Sequence, residues 1–155
     1  MDFEKLVKLL LDKKLKIATA ESCTGGLLAK KITDISGSSA VFDMGIVSYA
    51  NRIKNEFLGV KNEILETVGA VSSETAIAMA EGIRKIAISD IGVGITGIAG
   101  PTGGTPEKPV GLVYFAVSYK DETRVEKLLL DGNRDEIRNK TTEIVCREVI
   151  NRIEE

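Results

Sequence analysis

Apolar residues recur at helical spacing near the start of the chain, where Phe3, Leu6, Val7, Leu10 and Leu11 follow Asp2. This predicts an amphipathic helix over roughly the first dozen residues, with Asp2 as its N-cap. Leu15 to Ala20 then reads as a short strand. Gly25 and Gly26 are followed by Leu27, Leu28 and Ile32 at helical spacing. Glu21 to Gly26 is therefore expected to be a strand-to-helix turn whose helix starts near Thr24, an arrangement that points backbone N–H groups outward. The loop Ser36-Gly37-Ser38-Ser39 precedes a β-branched and aromatic run from Val41 to Tyr49, which predicts a second strand.

Further along, Asn51 to Leu58 and Asn62 to Val68 read as short helical pieces separated by Gly59. Ser72 is suited to cap a longer helix through Ala76, Ile77, Ala80, Ile83 and Ala87. Ile91 to Ile98 is an apolar, glycine-broken strand, and all three prolines fall in the glycine-rich loop from Gly100 to Pro109. Val110 to Tyr119 and Thr123 to Leu130 are expected to form a hairpin turning at Lys120-Asp121-Glu122. A final helix should run from about Arg134 to Ile153, with Ile137, Thr141, Ile144, Val145, Val149 and Ile153 on one stripe. Helices between the early strands and a late antiparallel hairpin predict a single layered α/β/α domain with a mixed sheet over residues 1–155.

Composition narrows the chemistry. The 155 residues are 43% hydrophobic and 28% charged, with a formal net charge of −2 and no histidine. A chain of this size buries roughly 68–70% of its unfolded surface, so it needs no disulfide or metal to build a core. The missing histidine removes a Ser-His-Asp triad, a Cys-His dyad and every histidine-ligated zinc site. The 21 basic against 23 acidic residues give no electrostatic case for nucleic acid or an anionic membrane surface. Cys23 and Cys146 form no C-x-x-C and are too few for a zinc site or a disulfide scaffold, which fits a reducing, cytoplasmic setting. No leader pattern opens the chain, and no apolar run approaches the roughly 20 residues that span a bilayer. Export and membrane anchoring are not expected.

Gly92-Val-Gly94-Ile-Thr-Gly97 spells G-x-G-x-x-G, but a dinucleotide fingerprint sits between a strand and a helix, whereas these glycines fall within a strand. The match reads as accidental. Ser22 is a better candidate, because a serine at a strand-to-helix turn lies beside free N–H groups and the positive end of a helix dipole. Helix capping by Ser22 and Thr24 is the competing explanation. A serine nucleophile needs a base, and without histidine the candidates are Lys, Asp, Glu or Tyr. Tyr49 at a strand end and Lys54 in the following first turn could converge on one spot, though their spacing suits strand filling and a solvated lysine equally well. Arg134 and Arg138 share a helix face at i, i+4 and could grip a carboxylate or phosphate, or simply pair with Asp135, Glu136 and Glu143.

Several segments together resemble the CinA C-terminal family. They are Ala20-Glu-Ser-Cys-Thr-Gly-Gly26, Gly37-Ser-Ser-Ala-Val-Phe42, Gly45-Ile-Val-Ser-Tyr-Ala-Asn51 with Lys54, Leu58-Gly-Val60, Gly69-Ala-Val-Ser72, Thr96-Gly-Ile-Ala-Gly-Pro101, Gly103 to Gly111, and Gly132-Asn-Arg134. The resemblance runs over nearly the whole chain. It implies hydrolysis of the carboxamide of nicotinamide mononucleotide to nicotinate mononucleotide and ammonia, without metal or cofactor, and a homodimer or a pair of dimers. The catalytic set it implies falls on Ser22, Tyr49 and Lys54. Backbone groups at Cys23, Thr24 and Gly25 are expected at the substrate's oxyanion, and Gly103, Gly104, Thr105, Arg134 and Arg138 at its phosphate. The chain departs from the family at Thr102, where glycine or an acidic residue is usual, and at Asn133, where aspartate is usual; Asn133 should still cap its helix. Nothing in it resembles the larger N-terminal domain of two-domain members, so no activity of that domain carries over. A pyridine-nucleotide sensor without turnover and a structural oligomeric partner are the alternatives.

Overall fold

The computed structural model describes residues 2–155. Strands β1 (Ile17–Glu21), β2 (Phe42–Val47), β3 (Ile91–Gly97), β4 (Leu112–Tyr119) and β5 (Glu122–Leu129) form one sheet in the order β2-β1-β3-β4-β5. β1 pairs in parallel with both β2 and β3, and β4 and β5 run antiparallel beyond them. The helices are α1 (Asp2–Lys13), α2 (Leu27–Thr33), α3 (Asn51–Leu58), α4 (Asn62–Thr67), α5 (Ser73–Ala87) and α6 (Arg134–Glu154). α1, α2 and α6 cover one face of the sheet, and α5 with α3 and α4 covers the other. The mixed sheet between two helical layers is the expected architecture.

The two faces of the sheet are built differently. Toward α1 and α6, the register lines up Ile17, Ile91 and Tyr119 in one row and Thr19, Val93 and Val117 in the next. Apart from Thr19, these form a thick apolar layer with Leu6, Leu10, Val145 and Val149. Toward α5 the rows are Ala18, Gly92, Ser118 and then Ala20, Gly94, Ala116. Small residues there let α5 lie unusually close. A Cβ on Gly92 would stand 2.2 Å from the Ala80 carbonyl oxygen, and one on Gly94 would stand 2.4 Å from that of Ala76. Gly92 and Gly94 of the G-x-G-x-x-G string are therefore a seat for a helix, while Gly97 lies against Leu112 and Val113 of β4, which explains why the string sits inside a strand.

Helix starts follow their caps. Ser72 Oγ accepts from the Thr75 N–H at 3.2 Å. Asn133 and Glu136 form a reciprocal capping box at the start of α6, so asparagine does keep the cap. One expectation needs correction: α2 begins at Leu27 rather than near Thr24. Gly25 and Gly26 have φ of 60° and 101°, left-handed values that the helix cannot contain, so residues 22–26 form a separate turn ahead of it. The second strand is also shorter than the run Val41 to Tyr49. The Ser48 and Tyr49 carbonyls turn toward Lys54 instead of continuing the strand.

Connection order decides where a ligand can enter. From β1 the chain crosses through α2 to β2 on one side, then returns through α3–α5 to β3 on the other side of β1. Such a reversal opens a crevice at the carboxyl ends of the parallel strands. Ser22 immediately follows β1.

Candidate active site

Ser22 is fixed by its own backbone, its N–H donating to the Ile95 carbonyl at 3.0 Å across the β1–β3 pair. Lys54, in α3, is 1% exposed and ranks among the largest fully buried side chains. Its Nζ lies 3.1 Å from Ser22 Oγ, 2.6 Å from the Ser48 carbonyl oxygen and 3.4 Å from that of Tyr49. No carboxylate neutralises it among the described residues. Burial holds this amine below the ordinary lysine range. The three contacts also suit a neutral amine: two N–H groups serve the two carbonyls, and the lone pair remains for the Ser22 hydroxyl.

The pair lines a cavity of about 320 Å³ with Cys23, Tyr49, Thr96, Gly97, Gly103 and Arg134 on its walls. Arg134 Nη1 donates to the Gly100 carbonyl at 2.8 Å, and Nη2 donates to the Tyr49 hydroxyl at 3.1 Å. Arg134 forms no ion pair among the described residues and stands exposed at the mouth.

The structure brings Ser22 and Lys54 together but leaves the Tyr49 hydroxyl apart. That side chain is 62% exposed and bonded to Arg134, while only its backbone carbonyl faces Lys54. Thr24 is fully buried, its hydroxyl donating to Glu21 Oε1 at 2.6 Å, and it does not line the cavity. The Gly25 N–H is committed to the Ser22 carbonyl at 3.0 Å. Of the expected oxyanion donors, only the Cys23 and Thr24 N–H groups lack a partner among the described residues.

Gly103 lines the cavity, but Gly104 and Thr105 do not. Thr105 is engaged with Lys108, which it meets through both its N–H and its hydroxyl. Arg138 also lies off the cavity, bonded to the Thr24 carbonyl. Its i, i+4 relation to Arg134 puts both on one helix face, but the turn between them separates their destinations. Sequence reasoning missed the Ser48 carbonyl and the walls at Ala70, Val71 and Thr96 to Gly100. The last segment is the carboxyl end of β3 and the residues after it, and a strand order known in advance would have pointed to it.

Cys23, next to Ser22, is a poor candidate for a nucleophile. Burial is the chief cause pushing its thiol up to about 12, and Cys146 is likewise pushed up to about 12. At pH 8 neither forms appreciable thiolate, so iodoacetamide should leave both unmodified in the native protein and label both after denaturation. Intact-protein mass spectrometry reads this directly. Rapid labelling of Cys23 in the native state would contradict the burial argument.

The molecule is thus a three-layer α/β domain with a serine and a buried lysine at the carboxyl ends of its parallel strands. The sequence profile of the family described as the CinA C-terminal domain matches residues 3–153, and the chain belongs to this family. The CinA-like protein of Kosmotoga olearia is 58% identical over 137 residues, covering 88% of this chain and 33% of that protein. The chain spans about a third of the length of the curated relatives it matches, 33% of each of the first two. The crystal structure of the competence/damage inducible protein CihA from Agrobacterium tumefaciens is 41% identical and superposes with a TM-score of 0.92, covering 100% of this chain and 97% of that one. The CinA superfamily protein from Enterobacter cloacae is 32% identical with a TM-score of 0.91, covering 97% of this chain and 92% of that one.

Among the described residues, no helix is long and apolar enough to cross a membrane, and no cluster of His, Cys, Asp and Glu side chains could hold a metal ion.

Proposed function

We propose that this domain is an amidase that hydrolyses the carboxamide of nicotinamide mononucleotide to nicotinate mononucleotide and ammonia. The observation that carries the reading is the hydrogen bond between Lys54 Nζ and Ser22 Oγ on the cavity wall, made by a buried amine without a carboxylate partner. Lys54 takes the Ser22 proton as Oγ attacks the carboxamide carbon. The Cys23 N–H, on the cavity wall, receives the tetrahedral oxyanion, where one such donor is typically worth roughly 2.7–4 kcal/mol. As the C–N bond breaks, Lys54 returns the proton to the leaving nitrogen and ammonia departs. A water then gives a proton to Lys54 and its oxygen attacks the ester. Ser22 regains its proton and the acid is released.

Arg134 is the candidate for the phosphate, since paired guanidinium N–H donors suit phosphate oxygens and no carboxylate occupies it. Tyr49, which Arg134 holds, belongs in this reading to the substrate-orienting wall; it takes no part in the resting proton relay. The Gly103 backbone is the second phosphate candidate. A homodimer or a pair of dimers is part of the same proposal.

The experiment is ammonia release from the mononucleotide and related amides, by the wild-type chain and by Ser22→Ala. Release that Ser22→Ala matches would sink the serine mechanism. Binding without release, seen as a nucleotide-dependent rise in melting temperature, would instead establish a sensor.

A further inference from the structure

The residues next to the nucleophile that do not reach the cavity have a common partner. Thr24 is held at both ends: its hydroxyl donates to Glu21 Oε1 at 2.6 Å, and its carbonyl accepts from Arg138 Nη2 at 2.9 Å. Glu21 is 1% exposed and also accepts from the Leu28 and Ala29 N–H groups, at 2.9 and 3.0 Å, so it anchors the turn to the start of α2. Arg138 comes from α6, 114 positions beyond Thr24, and its guanidinium lies against Gly25. A Cβ on that residue would stand 2.7 Å from Arg138 Nη2. Gly25 therefore leaves the opening through which the guanidinium reaches the turn, besides supplying a φ of 60°.

Chemistry links this contact to the nucleophile. The Thr24 carbonyl and the Gly25 N–H are the two ends of one peptide group, and that N–H donates to the carbonyl of Ser22 itself at 3.0 Å. A cation bonded to the carbonyl end polarises the peptide and strengthens donation at the other end. Arg138 has no carboxylate partner among the described residues, and its Nε is buried without a hydrogen bond. Its charge is thus directed at the turn and not shared with an ion pair.

We propose that Arg138 is a positioning residue, which together with Glu21 clamps the Ser22–Gly26 turn so that Ser22 and the Cys23 N–H hold their places, and that it does not touch substrate. The kinetic half of this proposal rests on the serine reading above; the structural half does not.

The test compares wild type with Arg138→Met, which keeps bulk beside Gly25, and Arg138→Lys, which keeps a charged donor. Amide-resolved hydrogen exchange by NMR is measured on all three, together with kcat and KM for nicotinamide mononucleotide and for the riboside that lacks its phosphate. Arg138→Met should exchange the Gly25 amide about tenfold faster, the scale of one weakened hydrogen bond. It should lower kcat about 100-fold on both substrates, the scale of a small displacement of reacting groups, with KM changed less than about twofold. Arg138→Lys should restore slow exchange and most of kcat. Unchanged exchange at Gly25 would overturn the proposal, as would a rise in KM confined to the phosphorylated substrate, which is the mark of a direct phosphate contact. Should Ser22→Ala prove as active as wild type, the serine reading falls, while the exchange measurement still decides the role of Arg138.

Discussion

Ser22→Ala and Lys54→Met should each lower kcat/KM for the mononucleotide by about 10⁴-fold, and the double variant should fall no further. In the proposed mechanism the serine and the amine act as one unit: without the amine the Ser22 proton has no acceptor, and without the hydroxyl the amine has nothing to deprotonate. Methionine nearly conserves the volume of Lys54, which is fully buried, so the cavity wall should keep its shape. Losses that multiply in the double variant would show that the two residues act independently.

The pH behaviour of the same pair gives a second signature. Burial lowers the folded-state pKa of Lys54 below the ordinary value of 10.5. Between the folded and unfolded pKa values, the unfolded chain binds a proton that the folded chain does not. Stability contributed by this site therefore rises with pH through that window and levels off above about 10.5, the unfolded value. The difference in unfolding free energy between wild type and Lys54→Met, measured by urea titration at several pH values, should carry that slope. Activity should rise with pH over the acid side of the same window, because only the neutral amine can take the serine proton. The chain contains no histidine, so no imidazole can account for that limb.

A large effect on stability is expected at the seat of α5. In Gly94→Ala the new methyl would meet the Ala76 carbonyl oxygen at 2.4 Å, the Ala80 nitrogen at 2.6 Å and Met79 Cβ at 2.8 Å. Two of these are helix backbone, so no side-chain rotation relieves the overlap and α5 must lift from the sheet. The cost should be about 3 kcal/mol, at the upper end for overpacking. For a domain of this size that corresponds to a fall of about 6–12 °C in Tm. Urea unfolding and a thermal melt measure it. An unchanged midpoint would mean that α5 shifts freely, against the tight contacts on the Ala20, Gly94 and Ala116 row.

The order and kind of the elements were legible in the chain because each is amphipathic over its own length. Leu6, Val7 and Leu10 point α1 at the core, and the alternation in β3 separates Ile91, Val93 and Ile95 from Gly92 and Gly94. α2 starts later than the cap-like Thr24 predicts because two left-handed glycines, Gly25 and Gly26, stand between that residue and the leucines of the helix. Ser22 and Lys54 were marked by elimination of histidine and by resemblance to a family. Their spacing alone allowed a cap and a solvated lysine.

The sequence by itself determined the layered class of the domain, the set of side chains with which it could do chemistry, and the caps that start α5 and α6. Those properties depend on local periodicity and on neighbours within one or two turns. Only the tertiary structure decided that Lys54 loses its solvent and meets Ser22, that Tyr49 faces Arg134 at the mouth, and that Arg138 serves the turn while Arg134, one helical turn away, serves the cavity. These contacts join residues from 32 to 114 positions apart, and the sheet order that brings them together is set by packing across the whole core. The lowered pKa of Lys54 has the same origin, because it is burial by distant segments that removes the water which would otherwise stabilise its charge.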